Sequence, residues 1–436
     1  MKYTFFLLGL PALSMAFPSM AGVKDDVLSN LKEQRAAEAT QAELEKRQGL
    51  LGTLLGDVNG LLGSIASSVS PDNKRPEPGY TFQEPGPNDS RGPCPGLNLL
   101  ANYGYLPRDG YVNAGQVIEA VARGFNMGAD LATVLVVFAV LSDGDIATES
   151  WYLGTNPNSK VGGLNRHSTV EADVSPNRED FYLGCGDNHH ISSRLFKQNV
   201  QFASEDPDKQ FTFPVMAKQW AANAAFSQDN NPYLYFFPFP SIVAVVAYNF
   251  YSAYFSNGTY GAGGVANYES ISSIIGAKLN EDTGEYEYVP ERWPENWYRR
   301  STEYGAVQAL TEGFTQIYPS YLLPMAVGQL GSDNLNVSTI LCDVYQGINS
   351  ITPLALAGQD KSLVGSVSWA LGKLADVGLS DTILGCPTNT LSSDFLTAND
   401  TTEGGPINPP PSVVENTGNN VYNKVYFTEA PTSPQC

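Results

Sequence analysis

The sequence is short of basic residues and, after its N-terminus, of long apolar runs. The 436-residue chain has 25 Lys and Arg against 45 Asp and Glu, with a formal net charge of −20. Such an acidic surface repels phosphate backbones, so we expect no nucleic-acid partner. The most apolar later run, 131–141, has eleven residues, whereas a membrane-spanning helix needs about 20. We therefore expect no membrane span, and the 42 % apolar content fits a globular protein.

The N-terminus has the features of an exported protein. Residues 1–21 carry one lysine, an apolar stretch and then small residues, which predicts a secretory signal peptide. Residues 22–47 are charged and end in a dibasic pair, so we expect a propeptide that is removed after Arg47. Sequons for N-glycosylation begin at Asn88, Asn257, Asn336 and Asn399. The sequence predicts a secreted, extracellular glycoprotein.

Helical periodicity dominates the body of the chain. We expect a Leu/Gly- and then Pro-rich lead-in over 48–90, one mainly α, multi-helix domain over 91–390, and an irregular tail over 391–436. The best strand signal is 285–290, and strands are few. Helices are predicted over 113–125, 128–144, 188–203, 213–227, 241–255, 303–317, 333–348 and 363–377.

Five cysteines are an odd number for an oxidising compartment, so at least one is unpaired or linked to another chain. Cys94 lies between Pro93 and Pro95. Proline suits the first position of a helix, which would place Cys94 at the N-cap. There the free N–H groups and the helix dipole favour a thiolate that can ligate a metal. From spacing alone, half of a disulfide is the favoured alternative.

Two extended motifs around this cysteine resemble those of a known family. The segment PCPGLNLLANYGYLPRDG (93–110) and the downstream GLNRHSTVEAD (163–173) are similar to the motifs of fungal heme-thiolate peroxidases, the family of chloroperoxidase and the unspecific peroxygenases, in its longer subgroup. GDNHHISSRLF (186–196) and PENWYRR (294–300) also look like family segments. The resemblance implies a mainly α heme peroxidase fold, Cys94 as the axial thiolate of heme b, hydrogen peroxide as oxidant and a small organic substrate.

The acidic part of the second motif implies a metal site. Glu171, Asp173 and Ser175 supply closely spaced oxygen atoms, the ligands that Mg²⁺ prefers. In the peroxygenases that the chain resembles, the matching residues hold magnesium beside a heme propionate. Ala172 stands where relatives have Gly or His, so no imidazole is available at that position.

The chain departs from the family where the distal acid is expected. Relatives use a Glu helped by an Arg or a His to move a proton between the peroxide oxygens. Here residues 230–255 include no Asp, Glu, Arg, Lys or His. Pro240 and Ala247 stand where the Arg and Glu are expected. The catalytic acid is therefore unassigned. Three alternatives remain. Another side chain replaces the acid, with His167, His190, Glu269 and Tyr248 as conceivable donors that no motif supports. Otherwise water transfers the proton, or the chain is a heme protein without turnover.

The remaining features leave alternatives open. By the resemblance, Cys342 and Cys386 form a disulfide. Cys185 is either buried and free or paired with Cys436, and Cys436 can also link to another chain. His189 and His190, as neighbours in a predicted helix, should point apart and not form a site. The aromatics of 233–255 are either ordinary core or a wall of the distal pocket.

Three hypotheses follow. The first is a secreted heme-thiolate peroxidase or peroxygenase, active on apolar or aromatic substrates as a monomer or dimer. The second is a heme-binding protein of the same fold without peroxygenase turnover, favoured by the missing distal acid. The third, a structural secreted glycoprotein, would leave two cofactor motifs without a use.

Overall fold

The chain folds into a mainly helical structure, as predicted. The computed structural model describes residues 73–158, 162–234, 238–258, 264–323, 348, 363–379 and 432–436. These belong to one compact unit, Leu51–Cys436. Several predicted features lie outside the described residues: the signal peptide, the propeptide, Cys342, Cys386, Asn336, Asn399 and all of the predicted helix 333–348 except Ile348.

Most of the described helices agree with the predicted ones to within a few residues, but one begins late, at position 193, and the helix at Tyr268–Ile275 was not predicted. A π-helical turn (Gly313–Ile317) and a 3₁₀ turn (Tyr318–Ser320) continue the eighth helix. The helices are α1 (Pro95–Tyr103), α2 (Ala114–Phe125), α3 (Ala129–Asp143), α4 (Ser193–Ser204), α5 (Phe213–Asn230), α6 (Pro238–Ala253), α7 (Tyr268–Ile275), α8 (Ala306–Glu312) and α9 (Leu363–Asp376).

Short two-stranded antiparallel sheets tie loops to this helical body. They pair β1 (Lys74–Arg75) with β6 (Trp297–Tyr298), β2 (Tyr111–Asn113) with β3 (Ser150–Tyr152), and β4 (Ala277–Asn280) with β5 (Glu285–Tyr288). The last pair lies within the predicted strand region. Because β1 pairs with β6, the chain packs on the domain from Lys74 onward.

The ends of α2 show why a helix forms there. Asn113 accepts a hydrogen bond from the backbone N–H of Gln116, whose side chain accepts one from the backbone N–H of Asn113. This reciprocal capping box satisfies donors that a helix start otherwise leaves free. At the other end Asn126 adopts the left-handed conformation, φ 60°, and terminates the helix.

Helix α3 is the inner helix predicted from the apolar run. Every residue except Leu135 is buried, and Val137, Phe138 and Leu141 are fully enclosed. It packs against α2, α8 and α9. Truncating a fully buried phenylalanine such as Phe138 to alanine typically costs about 3–5 kcal/mol. No helix among the described residues is long and apolar enough to cross a membrane.

A disulfide joins Cys185 to Cys436. The alternative of a free Cys185 is therefore wrong, and the pairing within one chain is the one that the structure supports. The two cysteines are 251 residues apart in sequence, so spacing carried no signal for their contact. The bond fixes the last residues of the chain, whose Ser433 N–H donates to the Tyr182 carbonyl, beside the acidic-motif loop.

Candidate active site

Cys94 caps the N-terminus of α1, as predicted. Its backbone is extended (φ −89°, ψ 103°) and Pro95 occupies the first helical turn. The residue is partly accessible, and it is free, unlike the other two cysteines among the described residues. Burial is the largest influence and raises the pKa of the thiol above its ordinary value, although the backbone N–H groups of Leu97 and Gly96 and the charge of Arg178 act in the opposite direction. These donors favour the thiolate form that a metal ligand requires.

A buried polar network anchors the helix that carries this cysteine. The Asn98 side chain exchanges hydrogen bonds with the backbone of Gly92 and donates to Glu291 Oε1 at 2.9 Å. Glu291 is fully buried and also accepts from Arg178 at 3.4 Å and from the Tyr288 hydroxyl at 2.9 Å. Burial raises the pKa of Glu291, and Arg178 lowers it. These hydrogen bonds fix the loop before Cys94 and the start of α1 to Glu291.

Arg178 is the positive charge of this network, and its contacts are incomplete. It is 2 % exposed, and its two terminal nitrogens donate to the Ile275 carbonyl and to Glu291. Its Nε is buried with no hydrogen-bond partner in the described part of the chain. A buried guanidinium with a spare donor beside a cysteine suits a neighbouring anionic group. Sequence reasoning missed this network, because charged residues at 178 and 291 fit no hydrophobic pattern.

The predicted acidic motif is brought together with a histidine. His167 Nδ1 lies 2.7 Å from Glu171 Oε2, and His167 Nε2 lies 3.8 Å from Asp173 Oδ2. All three residues are buried, and one ligand atom of each lies within 4.8 Å of the others. Burial disfavours the imidazolium, but Asp173 and Glu171 outweigh this effect and raise the pKa of His167 to about 9. The two carboxylates therefore favour the protonated form of the imidazole that lies between them.

Asp173 and Ser175 also have protein partners. Asp173 accepts hydrogen bonds from the Phe181 N–H at 3.1 Å and from the Asn231 amide at 2.9 Å. Ser175 Oγ accepts from the Arg178 N–H at 3.2 Å and so caps the turn that leads to Arg178. The oxygen donors are of the kind that Mg²⁺ prefers, and the two carboxylates are close enough to share a cation. A bound cation would share or displace the present partners of these carboxylates.

The distal candidate, helix α6, presents an apolar face. Among its described side chains, Val243, Ala247 and Phe250 are partly exposed and spaced i, i+4, i+7 on one face, while Pro240 is buried. The predicted absence of an acid at position 247 therefore leaves a methyl group on the accessible stripe. Beyond the helix, the ring of Phe255 lies 3.8 Å from the point where a Cβ on Gly96 would lie, so this segment reaches the start of α1.

The conceivable proton donors are engaged elsewhere. The Tyr248 hydroxyl donates to the Val174 carbonyl and accepts from Asn223 in the core. Glu269 is exposed in the first turn of α7, and His190 is exposed beside Asp187. His167 pairs with Glu171, in a structural role.

The prediction that His189 and His190 point apart is wrong. Helix α4 begins only at Ser193, where the Ser192 hydroxyl caps it, so both histidines lie in the preceding loop. Their rings are 4.3 Å apart, and each Nδ1 approaches the Asp187 carboxylate, at 3.3 and 2.9 Å. These contacts, chiefly with His190, outweigh burial and lower the pKa of Asp187.

The aromatic residues divide between the two alternatives. Tyr248, Tyr251, Tyr254 and Phe255 belong to the buried core, whereas Phe250 lies on the accessible stripe of α6. Residues 235–237 and the side chains of 238–239 lie outside the described part. The core interpretation therefore holds for most of the described aromatics.

Comparison with known proteins agrees with this site. Residues 80–302, about half of the chain, match the family described as Peroxidase, family 2. An aromatic peroxidase from Fusarium equiseti is 29 % identical over 284 residues, which cover 61 % of this chain and 64 % of that protein. A peroxidase of dothistromin biosynthesis from Dothistroma septosporum is 31 % identical over 290 residues, 61 % of this chain and 67 % of that one.

An aromatic peroxygenase from Coprinellus radians is 41 % identical over 127 residues, which are 27 % of this chain and 48 % of that protein. The chain thus spans between half and two thirds of the length of these relatives. The family match contains Cys94, the acidic motif and the network around Glu291. The chain belongs to peroxidase family 2, the fungal heme-thiolate peroxidases.

Proposed function

We propose that the protein is a secreted heme-thiolate peroxidase or peroxygenase that oxidises apolar or aromatic organic substrates with hydrogen peroxide. The observation that carries the proposal is Cys94, an unpaired cysteine at a helix start with a buried arginine beside it. A thiolate-bound heme supplies the electron push that helps to cleave the O–O bond of peroxide.

The protein would contribute ligation, charge and access. Cys94 would hold the iron from the N-cap of α1, where the N–H groups of Leu97 and Gly96 stabilise the thiolate. Arg178 would offset the negative charge of the thiolate and has a spare N–H for an anionic group of the cofactor. Asn98 and Glu291 would keep the cysteine loop in place.

The face of α6 would set the substrate class. Val243, Ala247 and Phe250 offer dispersion contacts and no charge, so apolar and aromatic molecules would be admitted in preference to ions. Helix α6 carries no acidic or basic side chain, and the Tyr248 hydroxyl is bonded to the Val174 carbonyl and Asn223 in the core. In this proposal water carries the proton between the peroxide oxygens, and peroxide cleavage is slower than an enzyme with a distal acid would achieve.

Mg²⁺ would bind at Glu171 and Asp173, with Ser175 as a further oxygen donor. The support is the closeness of two buried carboxylates that need a cationic partner. The cation would compete with the imidazolium of His167 for the same charges. We also propose glycans at Asn88, Asn257, Asn336 and Asn399, and a disulfide between Cys342 and Cys386. Asn88 is exposed, whereas the Asn257 amide already binds the backbone of Tyr298 and Asn296.

The test is to load the secreted protein with heme and record the spectrum of its reduced carbon monoxide complex, then to assay an aromatic substrate with hydrogen peroxide. We expect the absorption typical of thiolate ligation in the wild type and its loss in Cys94→Ser. A disulfide at Cys94, or a heme-loaded protein that oxidises nothing, would contradict the proposal.

The second candidate function is a heme-binding protein without turnover. The apolar stripe of α6 is the specific observation in its favour, because it supplies no acid. Thiolate-type spectra without consumption of hydrogen peroxide would favour it over the first.

A further inference from the structure

Three oxidisable aromatic rings in successive contact lead from the interior to the surface. They belong to Trp293, Tyr105 and Tyr80, and we call them the ring file. The rings of Tyr80 and Tyr105 are stacked with centroids 3.9 Å apart, and Tyr105 meets Trp293 edge-on at 5.4 Å. Trp293 is buried, at 4 % exposure, and its Nε1 has no hydrogen-bond partner in the described part of the chain. Tyrosine and tryptophan are the aromatic side chains that lose an electron most readily, and successive contacts of this kind permit short electron-transfer steps.

The inner end of the file lies against the helix that carries Cys94. Trp293 is 6.0 Å from the ring of Phe125, centroid to centroid. A phenyl carbon of Phe125 lies 3.5 Å from the point where a Cβ on Gly96 would be, so the ring packs directly on the turn after Cys94. The Trp293 segment is also fixed to α1 by the hydrogen bond from Asn102 to the Glu291 carbonyl. The file therefore ends at Trp293, which the ring of Phe125 separates from the turn after Cys94.

The outer end of the file forms a surface pocket. Tyr80, Tyr105, Arg108, Glu119 and Arg123 line a depression of about 370 Å³, a size suited to a small aromatic ring. The guanidinium of Arg123 lies 5.0 Å from the Tyr80 ring and 5.7 Å from the Tyr105 ring. Arg123 is paired with Glu77 and Glu119. Arg108 donates to the backbone carbonyls of Asn102 and Thr81, so on a chain with a net charge of −20 it is the cation that this pocket offers to an anionic group.

We propose that this pocket is a second oxidation site, at which phenols bearing a carboxylate or sulfonate give up one electron each through Tyr80, Tyr105 and Trp293. The proposal rests on the proposed peroxidase function, which supplies hydrogen peroxide as the oxidant. At each turnover two phenols lose the hydrogen of their O–H bond as an electron and a proton, and two phenoxyl radicals are released. The two electrons and two protons reduce one hydrogen peroxide to two waters, with cleavage of the O–O bond.

Such a site would accept donors too large to reach the heme pocket. Tyr80 is the residue that touches the substrate, since its ring lines the pocket and is partly exposed. Trp293 is the buried relay. A phenol attached to a polymer could then be oxidised at the surface, while a small apolar substrate would be oxidised inside.

The experiment compares two substrates in the heme-loaded protein: lignosulfonate, a sulfonated phenolic polymer, and a small apolar aromatic. Trp293→Phe keeps a buried aromatic ring, and it breaks no described hydrogen bond because the indole N–H makes none in the described part of the chain. Tyr80→Phe removes only a hydroxyl group. Tyr111→Phe is the matched control, because Tyr111 is an exposed tyrosine whose ring contacts that of another tyrosine, Tyr152, with centroids 4.7 Å apart. We expect both file variants to lower the lignosulfonate rate by roughly tenfold or more and to leave the small substrate unchanged.

A second readout does not depend on turnover. After hydrogen peroxide is added without substrate, rapid-freeze paramagnetic resonance should show a tyrosyl radical that Tyr80→Phe alters and Tyr111→Phe does not. Peptide mapping should then find oxidation at Tyr80 and Trp293. Wild-type rates on lignosulfonate in both variants, with the radical unaltered, overturn this inference and leave the proposed function intact. A heme-loaded wild type inert toward both substrates overturns the proposed function and this inference together.

Discussion

Replacing either member of the buried pair Arg178 and Glu291 should shift the pKa of Cys94, in opposite directions. Arg178 lowers the pKa of the thiol and Glu291 raises it. Glu291→Gln keeps an oxygen acceptor for Asn98 but removes the negative charge, so the pKa of Cys94 should fall. Arg178→Gln removes the positive charge, so the pKa should rise.

Both substitutions should also destabilise the fold. The two side chains are 2 % and 0 % exposed, and removing one partner of a buried ion pair typically costs about 3–5 kcal/mol, since the other charge is left uncompensated. In Arg178→Gln the remaining carboxyl can protonate. Because burial already raises the pKa of Glu291 above its ordinary value, stability in this variant is retained at low pH and is lost as pH rises through the folded-state pKa.

The assay is the pH dependence of alkylation of Cys94 by iodoacetamide in the heme-free protein, together with urea unfolding. Glu179→Gln is the matched control, because Glu179 pairs with Arg194 at a partly exposed place and is not among the groups that shift Cys94. Its cost should be below about 1 kcal/mol. Shifts of the Cys94 pKa in the same direction in both variants, or an equal shift in the control, would refute the electrostatic reasoning.

Three other predictions follow from the site and the fold. Ala247→Glu puts an acid on the accessible stripe of α6 and should speed the consumption of hydrogen peroxide by about 10²-fold or more. Ser241→Glu, at a buried position of the same helix, should not speed it. Stopped-flow mixing with hydrogen peroxide measures both rates. Mg²⁺ at 100 times its dissociation constant should stabilise the wild type by ~2.7 kcal/mol and leave Asp173→Asn unchanged in thermal unfolding, and an equal response in both proteins would contradict the magnesium proposal. Cys185→Ser should lower the free energy of unfolding by roughly 2–4 kcal/mol, and reductant should then lower the melting temperature of the variant by less than it lowers that of the wild type.

The sequence predicted what depends on neighbouring residues. Proline on either side of Cys94 indicated a helix start, and the apolar run at 131–141 indicated the buried helix α3; the structure confirms both. The helix start at Ser193 was missed, although Ser192 is a good capping residue. That shift of five residues is the reason why His189 and His190 were wrongly expected to point apart.

Contacts between distant residues were not predictable in the same way. Arg178 and Glu291 are 113 residues apart, and Cys185 and Cys436 are 251 apart. A charged side chain in a polar loop gives no periodic signal, and its burial depends on which segments the fold brings beneath α1. The ring file is of the same kind, since Tyr80, Tyr105 and Trp293 come from three separate segments.

The two sides of the proposed cofactor site therefore differ in kind. Around Cys94, the hydrogen bonds among Asn98, Arg178 and Glu291 hold the start of α1 in place. The charges of Arg178 and Glu291 act on the pKa of the Cys94 thiol. On α6, the partly exposed side chains in the described part of the helix are Val243, Ala247 and Phe250, none of which carries an acidic or basic group. A surface route through Tyr80 would suit such a protein, because a phenol that reacts in the surface pocket needs neither entry to an apolar distal face nor an acid on it. Substrate choice would then be divided between an apolar interior and an aromatic surface pocket that carries Arg108.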